Sequence, residues 1–139
     1  MVEKLLVPFD GSENSKKGVK YACWLANKVG AQVTVLYVVN VPYTGESAFL
    51  HLESLIEDGR KILETAKKIL KEENCAPAQY ELRQGIGNPA HHIVKFCTEG
   101  GFSLIVMSAR GHTPLTHLVI GSVSDSVVHN APCPVLIVR

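Results

Sequence analysis

Two glycine-bearing stretches hold the residues of this 139-residue chain that could do chemistry. The first is Ser108-Ala109-Arg110-Gly111-His112, running on through residues 113–120 to Gly121-Ser122. Glycine lets backbone N–H groups come close to a phosphate, and a helix N-terminus adds donors without helical acceptors and a favourable dipole. Gly121 and Ser122 combine both features at the start of the last expected helix, and Gly111 could supply the sharp turn off the preceding strand. A second reading fits the same residues. Ser122-Val123-Ser124-Asp125 has the pattern of a capping box, in which Ser122 and Asp125 would satisfy the helix's own donors, and Asp125 would repel a phosphate. The other stretch is Asp10-Gly11, a carboxylate at the end of the first apolar run, which on its own also reads as a simple turn.

Other patterns carry less. Gly85-Ile86-Gly87-Asn88-Pro89-Ala90 formally fits a dinucleotide fingerprint, yet its strand has an edge-like pattern and no acidic residue stands about twenty positions on at a strand end. His91 and His92 are adjacent and would point about 100° apart on a helix, and no carboxylate is spaced with them or with His112 and His117, so no metal site is expected. There is no Gly-x-Ser-x-Gly elbow and no Gly-x4-Gly-Lys-Ser/Thr loop, which removes the commonest hydrolase and NTPase mechanisms. Cys23, Cys75, Cys97 and Cys133 form no Cys-x-x-Cys pair and read as free thiols, with Cys23 and Cys97 on apolar helix faces.

The elements that must position these residues follow from hydrophobic period. Strands are expected over residues 4–9, 32–39, 79–84, 103–107 and 134–138. Helices are expected over residues 12–29, through Leu52 to Leu70, from Asn88-Pro89 through Cys97, and over 122–130. Ser12 and Asn88 are natural N-caps, and Gly30 stands where a helix commonly ends. The charges interleaved along the second helix, from Glu57 to Glu73, mark a solvated face. Strands alternating with helices imply an α/β fold, an open parallel sheet covered on both faces. In such a sheet ligands sit beyond the carboxyl ends of the strands, where strand order reverses.

Composition narrows the function classes. With 46% hydrophobic and 19% charged residues the chain is globular, and its length suits one domain spanning 1–139. A net charge of +1 offers no basic field for nucleic acid or an anionic membrane, and Trp24 and the four tyrosines are not interleaved with basic residues. No apolar run is long enough to cross a bilayer, and the start lacks a signal-peptide pattern, so a cytoplasmic protein is expected.

The chain also resembles the universal stress protein family. Ser108, Gly111, Gly121 and Ser122 follow the family signature Gly-x2-Gly-x9-Gly-Ser/Thr, with serine in place of the first glycine. Leu5-Leu6-Val7-Pro8-Phe9-Asp10-Gly11-Ser12 and Ala131-Pro132-Cys133-Pro134-Val135-Leu136-Ile137-Val138 are similar to the family's opening and closing segments. The resemblance implies a five-stranded parallel sheet of order 3-2-1-4-5 with nucleotide between strands one and four. It implies that Asp10, beside Pro8 and Phe9, lies near ribose and phosphates, and that Val38 meets adenine through its backbone. It further implies that Arg110, Gly111, Gly121 and Ser122 surround the phosphates, with Met107, Ser108, Val123 and Ser124 nearby. The ligand would be ATP, or AMP, with Mg²⁺ reached by Asp10, and the assembly a homodimer through the C-terminal strand.

No activated nucleophile or matched acid–base pair is visible. The expected mechanism is therefore binding, with occupancy stabilising residues 108–120 and altering a partner-facing surface. Slow hydrolysis, or phosphate transfer onto the chain, is the most chemistry such a site would do. The departure at Ser108 keeps open an alternative: an interaction module of the same fold that binds no nucleotide.

Overall fold

The computed structural model describes residues 2–41, 45–109 and 121–139. The elements are β1 (Lys4–Pro8), α1 (Glu13–Val29), β2 (Gln32–Val39), α2 (Gly45–Glu72), β3 (Tyr80–Ile86), α3 (Pro89–Gly100), β4 (Leu104–Ser108), α4 (Ser122–Asn130) and β5 (Val135–Val138). A short 3-10 turn, Pro77–Gln79, leads into β3. All strand pairs are parallel and the order is β3-β2-β1-β4-β5.

Strand alternation sends side chains to two separate cores. On one face Leu5, Val7, Val33, Val35 and Val106 pack under α1 (Val19, Ala22, Cys23, Ala26) and α2 (Leu63, Ala66, Ile69, Leu70). On the other, Leu6, Leu36, Val38, Ile105 and Met107 pack under Ile93 and Cys97 of α3 and Val127 of α4. This explains why β1 and β2 read as almost unbroken apolar runs: both faces are covered. β3 pairs only with β2, and its alternating exposure is that of an edge strand. β5 forms the opposite edge, and all four of its residues are half-buried.

Local chemistry sets the helix ends. Ser12 accepts a hydrogen bond from Ser15 N–H at 3.1 Å, and Gly30 closes α1 in the left-handed region at φ 74°. Asn88 caps α3 by accepting from His91 N–H at 3.0 Å, with Pro89 as the first helical residue. β4 is displaced by one residue from the sequence expectation. Ser103 lies outside the strand, where its hydroxyl accepts from the N–H groups of Glu3 and Lys4 and donates to the Lys4 carbonyl, while Ser108 joins the strand instead. Among the described residues no helix is long and apolar enough to cross a membrane.

Candidate functional site

β1 is the central strand, and the chain leaves it toward β2 on one side and reaches β4 on the other. Its pairing with β2 runs from Lys4↔Gln32 to Pro8↔Leu36, whereas its pairing with β4 covers only Leu5↔Leu104 and Leu6↔Ile105. Beyond Leu6 the β1–β4 pairing ends, and the strand order sets the place for a crevice at the carboxyl ends of these two strands. This is the topological switch point at which open α/β sheets bind ligands.

One wall of the crevice is the β1–α1 turn. Pro8 ends the strand, and Phe9 N–H makes the last tie to β2, donating to the Leu36 carbonyl at 2.9 Å while its ring is buried in the α1–α2 core. Asp10 follows. Its Oδ1 accepts from Ser12 N–H at 2.9 Å, and its own N–H donates to Ser15 Oγ at 3.4 Å. Ser15 Oγ in turn donates to the Ser12 carbonyl at 3.0 Å. Gly11 turns at φ 84°, and a Cβ there would press on Ile62 Cγ2 of α2 at 3.2 Å. The turn reading of Asp10-Gly11 is thus what is seen: a hydrogen-bonded turn with its carboxylate at the carboxyl end of β1.

The far side is Val38. Peptide groups two residues apart on a strand face the same neighbour. The Leu36 carbonyl faces β1, where it accepts from Phe9, so the Val38 peptide groups face the same side, and there β1 has already ended. Val39, one residue on, faces β3 and accepts from Gly87 N–H at 2.9 Å. Val38 therefore turns its peptide groups to the side on which β1 has ended, while its side chain is buried with Met107, Val123 and Val127.

The third wall is the N-terminus of α4. Gly121 is the N-cap, with no side chain to cap the helix, and Ser122 is the first helical residue. The capping-box reading is thereby corrected: with glycine in the cap position, Asp125 falls one residue beyond the position from which it could reach back. Asp125 N–H instead donates to the Gly121 carbonyl at 2.9 Å, and its carboxylate lies 3.5 Å from His129 Nε2 on the next turn. The N–H groups of Ser122, Val123 and Ser124 accordingly have no acceptor within the helix. Gly121 N–H donates to the Ala109 carbonyl at 2.6 Å, and Ser124 Oγ, 3% exposed, donates to the Ser108 carbonyl at 2.7 Å. These two bonds fix the helix start against the end of β4.

The structure thus places Pro8, Phe9, Asp10, Val38, Met107, Ser108, Gly121, Ser122, Val123 and Ser124 at or next to the carboxyl ends of β1, β2 and β4 and the start of α4, with the Phe9 ring turned into the core. Arg110 and Gly111 lie outside the described residues, as do His112 and His117. Ser108 is an extended strand residue, outside the left-handed region, so serine in the place of the first signature glycine carries no φ strain. Gly85 lies within β3, where a Cβ would collide with the His92 ring, so its small size serves packing against α3 rather than a dinucleotide.

Comparison with known proteins agrees with the fold. The universal stress protein family model matches residues 1–139. The chain belongs to the universal stress protein family. A universal stress protein of Methanocaldococcus jannaschii is 37% identical over 144 aligned residues, covering 100% of this chain and 83% of that one. The structure of the universal stress protein UspA from Lactobacillus plantarum superimposes with a TM-score of 0.87 at 25% identity, over 99% of this chain and 98% of that one. A universal stress protein from Archaeoglobus fulgidus, solved in complex with dAMP, has the same fold, with a TM-score of 0.75 at 22% identity and full coverage of both chains.

Three residues that shape the crevice of this family member were missed by sequence reasoning. Ser15 fixes the Asp10 turn, and Gly18 brings α1 against β4, a Cβ there lying 3.6 Å from Ser108 N. Gly18 had a signal, since a mid-helix glycine stands out against helix propensity. The third, Tyr37, packs under Gly59 of α2, and its hydroxyl pKa is raised by burial and by the nearby carboxylates of Asp10 and Asp58. Nothing local in the sequence marks that approach, which depends on how α2 crosses the sheet. Among the described residues no group of three or more His, Cys, Asp or Glu is placed to hold a metal ion. Asp10 is the carboxylate that would approach a phosphate-bound Mg²⁺ here, with phosphate and water supplying the other ligands, a common arrangement for this ion.

Proposed function

We propose that this chain binds ATP with Mg²⁺ in the crevice between β1 and β4 and acts as a cytoplasmic, regulatory stress protein through occupancy rather than turnover. The observation that carries this reading is the α4 N-terminus, capped by a glycine with no side chain and tied to β4, facing a crevice whose opposite wall is the Val38 peptide edge. The N–H groups of the first can donate to phosphate oxygens, and the second can meet the donor and acceptor edge of adenine. Asp10 stands where it would reach ribose or a phosphate-bound Mg²⁺. The dAMP held by the Archaeoglobus relative is of the same ligand class. A thermal-shift series with ATP, AMP and cyclic AMP, each with and without Mg²⁺, tests the assignment. The largest shift is expected with ATP and Mg²⁺. Equal shifts with all three would reduce the ligand to an adenosine phosphate, and no shift with any would leave the non-binding interaction module.

We further infer that β5 pairs with its copy across a two-fold axis. Among the described residues its outer edge has no strand neighbour, and Val135-Leu136-Ile137-Val138 is an apolar segment of the kind that proteins cover. Light scattering at tens of micromolar should give twice the mass of the 15.1 kDa chain. A monomer at that concentration would contradict the pairing.

A further inference from the structure

The sulfurs of Cys97 and Cys133 lie 3.3 Å apart, although the residues are 36 positions apart in sequence. Cys97 is on the last turn of α3, 1% exposed and packed with Ile93, Phe102 and Val127. Cys133 is in the link between α4 and β5, partly exposed, and packs against the same cluster. The link is held on both sides. Ala131 N–H donates to the Val127 carbonyl at 2.8 Å, and the Pro134 carbonyl accepts from Ile105 N–H at 3.0 Å. Pro132 and Pro134 flank the cysteine and restrict its backbone further. A partly exposed cysteine and a buried one therefore lie within reach of a bond, for which the sulfurs must close to about 2.05 Å.

The other two thiols supply an internal contrast. Cys23 and Cys75 also neighbour one another, but they are 0% and 3% exposed beneath α1 and α2. Cys133 is a partly exposed residue, whereas those two are enclosed by the core, so Cys133 is the most open of the four cysteines to an oxidant in solution.

We propose that Cys97 and Cys133 form a reversible disulfide in response to hydroperoxides, a redox site separate from the nucleotide crevice. In the first step the Cys133 sulfur attacks the peroxide, giving a sulfenic acid and releasing an alcohol, or water from hydrogen peroxide. In the second the Cys97 sulfur attacks the Cys133 sulfur, the S–O bond breaks, and the leaving hydroxide takes the Cys97 proton to depart as water. The two thiols lose two electrons in total, and the peroxide gains them. A thiol reductant reverses the change by exchange. Burial, together with the hydrogen bond to Cys133, pushes the Cys97 thiol up to about 12, so Cys133 rather than Cys97 is the sulfur that meets peroxide first, and the 3.3 Å separation is what lets Cys97 resolve the intermediate.

The bond would close a loop containing β4 and all of α4, joining the end of α3 to the link that leads into the edge strand β5. Cross-linking a loop of this length restricts the unfolded chain, so the oxidised protein should be the more stable form.

The test uses the full chain treated with hydrogen peroxide, alkylated under denaturing conditions and mapped by peptide mass spectrometry. The expected result is a Cys97–Cys133 linked peptide, with Cys23 and Cys75 alkylated as thiols and the link lost on reduction. The thermal midpoint should rise on oxidation in the wild type and stay unchanged in Cys133→Ser. A Cys97→Ser variant should stop at the Cys133 sulfenic acid, trapped by a dimedone-type probe. Over-oxidation of Cys133 with no link in the wild type, or a link made only between two chains, would overturn the proposal. Neither readout involves nucleotide, so a failure here leaves the reading of the crevice untouched.

Discussion

The Ser124 hydroxyl donates to the Ser108 carbonyl at 2.7 Å, buried from solvent, and so couples the first turn of α4 to the last residue of β4. The bond lies beneath the helix end rather than in the crevice. It makes the helix N-terminus a fixed wall whose N–H groups need no rearrangement to meet an anion. Ser124 thus acts at this site by positioning the helix, while Ser122, exposed one turn edge away, is free of that duty.

Removing that coupling should be measurable as stability. Ser124→Ala leaves the Ser108 carbonyl without its buried donor, a loss of about 1–3 kcal/mol. Urea denaturation should show a lower midpoint with an unchanged slope. A midpoint equal to that of the wild type would mean that the helix start is held by other contacts.

Gly18 offers the opposite sign. It is a helical residue with a normal φ, and an added Cβ would meet Ser108 N at 3.6 Å, an ordinary van der Waals distance. Gly18→Ala should therefore stabilise the protein by about 0.5–1 kcal/mol through helix propensity and a less flexible unfolded chain. Thermal denaturation checks this, and a fall in the midpoint would show that α1 and β4 cannot accept the methyl group.

Ser108→Gly tests the departure from the family signature. Because Ser108 is extended strand, glycine gains nothing from φ freedom and should lower stability by about 0.5–1 kcal/mol. ATP affinity should change by less than about tenfold, equivalent to roughly 1.4 kcal/mol. A wild type that fails to bind beside a tightly binding Ser108→Gly would contradict this and favour the interaction module.

The layout of the fold was legible because its signals are local. Ser12, Gly30 and Asn88 set helix ends by their own side chains or conformation, and continuous apolar runs marked the central strands. The switch point was legible for a different reason: the strand order implied by the family resemblance sets it between β1 and β4, as observed. What escaped was tertiary. Whether Gly121 or Ser122 caps α4 depends on the bond from Gly121 N–H to Ala109, which no local pattern encodes. The approach of Cys97 to Cys133 likewise arises from how α3 packs beside the α4–β5 link, and spacing along the chain gives no hint of it.

The central claim, that the α4 N-terminus and the Val38 edge form an ATP site, is tested most directly by calorimetric titration with ATP and Mg²⁺. The same titration is run on Gly121→Asp, which sets a carboxylate at the helix start where the phosphates would lie. The account predicts a single site per chain of micromolar affinity, roughly −8 kcal/mol, for the wild type, and no detectable binding to a variant that still folds. No heat from the wild type at millimolar ATP and Mg²⁺, or equal binding by wild type and Gly121→Asp, would contradict it.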